Sequence, residues 1–217
     1  MATKRVVITG GNAGLGLQQA IELSRRHFAV TLTVRSDDKG VAAVAEIQRA
    51  VPGSSVDYFL MDNADLSTVR EFARQFKARH PEPLDVLVNN AGIMATPYAL
   101  TKDGFEAQFQ VNHLGGFLLT SLLLPQLREA ARGPAGEARV VFLASRAHLR
   151  WQRPLDLDAV RAPAATPASY DAWLAYGRSK TCNILCARAL AARFPVASGG
   201  VTFNSLHPGR EFTVAFP

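Results

Sequence analysis

Thr9-Gly10-Gly11-Asn12-Ala13-Gly14-Leu15-Gly16 stands between an apolar run, Arg5 to Thr9, and a helical pattern, Leu15 to Arg26. That context gives a glycine-rich run its meaning, because a strand ends, the chain turns and a helix begins. Gly10 can make the tight turn, Gly14 lets the backbone approach a pyrophosphate, and Gly16 lets the helix pack closely on the sheet. The helix then offers free N–H groups and a positive dipole end to the phosphates. The spacing is GxxxGxG rather than GxGxxG, and glycines also serve plain turns, so the run needs support from the rest of the chain.

Working outward, short β-branched runs alternate with helical patterns almost from end to end. Strands are expected at Arg5 to Thr9, Val30 to Val34, Val56 to Met61, Leu84 to Asn89, Arg139 to Ala144 and Val201 to Leu206. Helices are expected at Leu15 to Arg26, from Asp37 or Asp38 to before Pro52, at Leu66 to Arg79, and from about Asp103 to Ala131 with a bend near Gly115-Gly116. This alternation predicts an α/β fold, a Rossmann-type doubly wound parallel sheet with helices on both faces. No internal repeat or linker divides residues 1–217, so one domain is expected.

The end of the second strand bears on the cofactor. A ribose 2′-hydroxyl calls for an acid there, whereas a 2′-phosphate calls for a cation. The strand ends Thr33-Val34-Arg35-Ser36, with Val34 where an acid would stand and Arg35 placed for charge-assisted bonds to a phosphate. Asp37 and Asp38 are read as caps of the next helix. NADP(H) is therefore expected over NAD(H).

Composition excludes several classes. At 217 residues, 48% apolar and 19% charged, the chain is globular rather than disordered. Its net charge of +6 comes from scattered Lys and Arg, not from basic runs interleaved with aromatics, so no nucleic-acid partner is expected. No apolar run reaches membrane-spanning length, a strand-like run begins at Arg5, and a cytoplasmic location is expected. Cys182 and Cys186 are read as packing residues, and no metal-ligand set is seen.

The chemistry points to Leu174-Ala-Tyr-Gly-Arg-Ser-Lys-Thr-Cys-Asn-Ile-Leu185. Tyr176 and Lys180, four apart, share one face of an amphipathic helix. An ammonium beside a phenol favours the phenolate, so the tyrosine pKa is expected to fall from its usual ~10. Such a tyrosine can trade a proton with an alcohol or carbonyl.

Together these residues resemble the short-chain dehydrogenase/reductase family over nearly the whole chain, from Val6 to Gly209. The run from Thr9 to Gly16 is similar to the family's TGxxxGxG loop, and Asp62 to the acid that binds adenine, with Asn63 a departure from the usual apolar neighbour. Asn89-Asn90-Ala91-Gly92 resembles the NNAG run beside the cofactor. Asn112, Ser145, Tyr176 and Lys180 resemble the catalytic tetrad, and His207-Pro208-Gly209 the segment beside the nicotinamide. The resemblance thus implies cofactor contacts from Gly10, Asn12, Gly14, Leu15, Gly16, Arg35, Asp62, Asn63, Asn89, Ala91, Gly92, Tyr176, Lys180, Pro208, Gly209 and Thr213. It implies proton transfer by Tyr176, oxygen stabilisation by Ser145, a ribose contact from Lys180, and a water anchored by Asn112.

Ser145 and Tyr176 are 31 positions apart, an unusually long gap for the family. With Asn112-His113-Leu114-Gly115, this resembles retinol dehydrogenases, the WW-domain-containing oxidoreductase and light-dependent protochlorophyllide reductases. Those relatives imply an apolar carbonyl or alcohol substrate (retinoid-, steroid- or lipid-like) or, alternatively, a tetrapyrrole double bond. Trp151 and Trp173 flank the inserted segment as candidate covers for an apolar pocket, with core packing the other reading. His113 and His148 are read as packing or surface residues. The family's lid and seventh strand would follow Gly209, whereas this sequence stops at Pro217, with Glu211 at a usually aliphatic position. The expectation is a truncated form that binds NADP(H) weakly, turns over poorly and associates with further copies through an exposed edge.

Overall fold

The computed structural model describes residues 3–133, 136–155, 167–196 and 200–209. Six strands are named: β1 (Arg5–Thr9), β2 (Ala29–Val34), β3 (Val56–Leu60), β4 (Val86–Asn89), β5 (Arg139–Leu143) and β6 (Thr202–Leu206). They form one sheet in the order β3-β2-β1-β4-β5-β6, every pairing parallel. β2, AVTLTV, is buried at all six positions, the pattern of a strand covered on both faces. The helices are α1 (Gly14–Arg25), α2 (Asp37–Ala50), α3 (Leu66–Arg79), α4 (Gly115–Arg132) and α5 (Ala172–Arg193).

Period-two alternation splits the core in two. Val6 and Ile8 point to one face with Leu17, Ile21 and Ile47 of α1 and α2. Val7, Val140 and Phe203 point to the other with Phe72 and Phe76 of α3, Leu119 and Leu123 of α4, and Ala187 of α5. The doubly wound sheet is the one expected, with ends displaced by a residue or two.

The stretch expected to be helical from Asp103 differs more. Residues 101–106 form a tight turn closed by Thr101 N donating to Phe105 O. Asp103 accepts from Leu66 N and from Gln110 Nε2 instead of opening a helix. Helical structure starts at Ala107–Phe109, widens into a π turn at Gln110–Leu114 and continues as α4. The π turn falls just ahead of the expected bend. Gly115 and Gly116 serve another purpose, since a Cβ on either would press to 3.0 Å or less on Asn63 or Asn89 side chains. The caps expected of Asp37 and Asp38 are also corrected. Ser36 is the N-cap, both acids sit in the first turn of α2, and Asp37 accepts from the Tyr58 hydroxyl at 3.1 Å.

Candidate active site

Strand order reverses between β1 and β4, and there an open cleft of about 800 Å³ lies beyond the strands' C-terminal ends. Gly10, Asn12, Gly14, Leu15, Gly16, Arg35, Asp62, Asn63, Ala91 and Gly92 line it, together with Asn90, Ile93 and Val111. Gly14 has φ +51° and nothing within 4 Å of where a Cβ would stand, so the loop is both left-handed and open toward the cleft. A Cβ on Gly16 would meet Gly10 O at 2.4 Å, which only glycine avoids. The N-terminus of α1 has no side-chain cap and no acid in its first turn, leaving its N–H groups and dipole for an anion. Asn90 holds this loop in place, donating from Nδ2 to Thr9 O at 2.8 Å and Gly10 O at 3.3 Å.

At the other end, β2 finishes with buried Val34 and exposed Arg35, so no carboxylate ends that strand. Asp62 accepts from Ala64 N and is held at the end of β3 by Thr68, whose hydroxyl donates to its carbonyl. The uncapped helix end, the open Gly14 and Arg35, which has no ion-pair partner among the described residues, fit the phosphates of a dinucleotide. Asn63 braces the π turn, donating to Val111 O at 2.9 Å. Asn89 differs from expectation: its side chain turns away from the cleft to Thr120 Oγ1 of α4, 3.0 Å away.

Past Gly92 the cleft meets the tyrosine helix. A Cβ on Gly92 would lie 3.1 Å from Asn112 Oδ1 and 3.5 Å from Lys180 Nζ. Lys180 is 4% exposed and donates to Leu143 O at 2.8 Å, with Nζ 5.5 Å from the Tyr176 ring centroid. Ser145 lies two residues past β5 and caps the short 3-10 turn Arg146–Arg150, its Oγ accepting from Ala147 N. The Asn112 side chain is wholly engaged, accepting from Ile93 N and donating to Ile93 O and Ser179 Oγ. Its main-chain carbonyl accepts from Asn183 Nδ2 at 3.1 Å and keeps a second lone pair with which to anchor a water. Pro208 and Gly209 follow β6 at this end of the sheet, and Thr213 and Glu211 lie outside the described residues.

The electrostatics correct one expectation. Burial holds the Tyr176 phenol above its ordinary value, and its interaction with the Ser145 hydroxyl pulls back only part of the way. Burial also draws the Lys180 ammonium down to about 8. Desolvation thus sets the direction at both groups, and the fall expected of the tyrosine from its lysine neighbour is not found. At neutral pH the tyrosine is a protonated acid beside a cation, arranged to give a proton.

The structure adds residues that the sequence left without a part at the site or read only as packing or cover. Asn183 donates to both Asn112 O and Leu143 O, the carbonyl that also holds Lys180, and accepts from His113 Nδ1. His113 is otherwise packed between Phe109 and Phe117. His148 donates from Nδ1 to Ser145 O at 2.7 Å. Trp173 is 45% exposed and stands edge-on to Tyr176, with Arg150 over the Trp173 ring, while Arg178 lies over Trp151. A buried group of Glu106, Gln108 and Arg178 with half-buried Tyr170 completes the head of α5. Glu106 and Gln108 lie outside any motif, and Glu106, the N-cap of the Ala107 turn, is not among the residues that usually signal a cap.

Comparison with known proteins agrees with this geometry. Residues 4–152 match the short chain dehydrogenase family. The chain is 44% identical over 207 residues to mouse "Retinol dehydrogenase 12", 39% over 206 residues to human "Retinol dehydrogenase 13", and 36% over 211 residues to the Brassica napus "Short-chain dehydrogenase TIC 32 B, chloroplastic". These matches take in 95%, 95% and 97% of this chain but 61%, 58% and 64% of the relatives. In structure it resembles an uncharacterized protein of Mycobacterium paratuberculosis at 41% identity and TM-score 0.79, covering 98% of this chain and 70% of the other. With the parallel sheet, the glycine loop and the order of motifs in agreement, this chain belongs to the short-chain dehydrogenase/reductase family of NAD(P)(H)-binding oxidoreductases.

Proposed function

We propose that this chain serves an NADP(H)-dependent oxidoreductase that interconverts a carbonyl and an alcohol on an apolar substrate, with Tyr176 as the proton donor. The observation that carries this is the arrangement of Ser145, Tyr176 and Lys180 where the cleft from Arg35 ends at Gly92. A bound nicotinamide would supply the hydride equivalent that the carbonyl carbon accepts. Tyr176, protonated and half-buried, gives its proton to the carbonyl oxygen, and the Ser145 hydroxyl donates a hydrogen bond to that oxygen as charge develops. Lys180, fixed by Leu143 O, keeps further donors for the cofactor's ribose.

The preference for NADP(H) rests on Arg35 following buried Val34. Arg35→Ala should remove most of a measured NADPH-over-NADH preference, since a charge-assisted hydrogen bond contributes about 1.5–3 kcal/mol. Equal dissociation constants for the two cofactors in the parent would contradict this reading. The substrate class is supported by similarity to the retinol dehydrogenases and by the exposed Trp173 ring edge-on to Tyr176. A panel of apolar aldehydes including retinal, small ketones, and a protochlorophyllide-like tetrapyrrole assayed dark and illuminated with NADPH tests it. Reduction of the apolar aldehydes in the dark is the expected result. Reduction of the tetrapyrrole alone, under light, would replace it with a C=C reduction.

A further inference from the structure

Glu106 is 1% exposed, and the proposed reaction leaves it without a part. Its Oε1 accepts from Gln108 N at 2.8 Å and from the Tyr170 hydroxyl at 2.7 Å. Its Oε2 accepts from Phe109 N at 2.9 Å and from Arg178 Nη2 at 3.2 Å. Two donors on each oxygen satisfy the carboxylate, which is what lets a charge be buried so completely.

The four donors come from two parts of the chain that form the catalytic end. The backbone N–H groups belong to the helical turn that leads into the π turn carrying Asn112. Arg178 lies on α5 between Tyr176 and Lys180, and Tyr170 just precedes that helix. Gln108 adds a third part, accepting from Ala95 N and donating to Tyr170 Oη and Ala172 O. Ala95 has φ +50°, so the loop after Gly92 is held in a strained shape by this bond. Loop, π turn and tyrosine helix therefore meet at one carboxylate.

We propose that Glu106 is a positioning residue that assembles the nicotinamide end of the cleft, setting Gly92, Asn112 and Lys180 relative to one another through Gln108 and Arg178. This rests on the cofactor reading above. The adenosine end does not depend on the carboxylate directly: none of its hydrogen bonds reaches the β1–α1 loop, Arg35 or Asp62. Loss of the carboxylate should thus weaken binding of the whole dinucleotide and spare its adenosine half. A role confined to stability would instead reduce the folded fraction and leave that ratio unchanged.

The test titrates NADPH and 2′,5′-ADP into the parent and Glu106→Gln, with folding checked by circular dichroism. A glutamine amide sets N–H groups against those of the neighbouring donors and leaves Arg178 without its counterion. The NADPH dissociation constant should rise roughly tenfold, as for loss of one hydrogen bond to a charged group, with that of 2′,5′-ADP unchanged. Equal constants for parent and variant, or parallel weakening of both ligands, would overturn the proposal while leaving the cofactor reading in place. A parent that binds neither ligand would overturn both. If Glu106→Gln does not fold, Tyr170→Phe removes one donor alone and should move the NADPH constant in the same direction by less. No change in that folded variant would overturn the proposal as well.

Discussion

Tyr170 and Tyr176 sit at the head of the same helix in surroundings of opposite kind. The Tyr170 hydroxyl is spent: it donates to Glu106 and accepts from Gln108, and its ring packs edge-on to Tyr98. The Tyr176 hydroxyl faces Ser145, with Lys180 behind the ring and the cleft's end in front. Burial raises the pKa of both phenols, so the shift alone does not tell a catalytic tyrosine from a structural one. What separates them is the company of the hydroxyl: Tyr176 has an oxyanion donor and a cation beside it, Tyr170 a buried carboxylate and an amide.

The comparison can be broken most forcefully at Ser145. Ser145→Ala removes a donor to the developing oxyanion and should lower kcat by about 100- to 1,000-fold, as loss of one such donor does elsewhere. A stopped assay of NADPH-dependent carbonyl reduction would read it, and a fall of only a fewfold would leave Tyr176 with no better claim than Tyr170.

Lys180 sharpens the contrast because its function and its stability should move in opposite directions. Its ammonium titrates near 8 rather than at its ordinary 10.5, so holding it charged and buried costs the fold about 3 kcal/mol at neutral pH. Between those two values the unfolded chain keeps a proton that the folded chain has lost, so stability rises with pH across that window. Lys180→Met should raise the melting temperature at pH 7, abolish this rise and lower turnover by about 100-fold or more. In the parent, carbonyl reduction should decline above pH 8 as the cation is lost. A destabilised Lys180→Met variant would contradict the burial argument.

Tyr170→Phe is the smallest effect and has the opposite sign for stability. Removing a hydrogen bond to the buried Glu106 carboxylate should cost about 1.5–3 kcal/mol by chemical denaturation. The rate per folded molecule should stay within a fewfold of the parent.

How much of this was legible in the sequence follows from the range of the forces involved. The β1–α1 loop could be read because its glycines answer to local backbone geometry, as the φ of Gly14 and the contact made by Gly16 show. Tyr176 and Lys180 could be paired because four residues on a helix always meet. The direction of the tyrosine pKa could not, since it depends on how deeply α5 is buried against β5 and the 3-10 turn after Ser145. Asn89 was assigned to the cleft by its motif, yet Gly116 opens a place for it against α4, which only the packed helix reveals. Glu106 escaped notice for the same reason: of its four donors, Gln108 N and Phe109 N are local, but Tyr170 and Arg178 arrive from 64 and 72 residues away.

The central claim is that Tyr176, not Tyr170, gives the proton. The direct test is a single-turnover measurement of NADPH oxidation by Tyr176→Phe and Tyr170→Phe with a carbonyl substrate that the parent reduces. Rates are taken per NADPH-binding site, so that differences in folding cancel. Tyr176→Phe should bind NADPH like the parent and lose its hydride-transfer rate by about 100- to 10,000-fold, while Tyr170→Phe keeps it. A Tyr176→Phe variant that retains the parent's rate while Tyr170→Phe loses it would contradict the account.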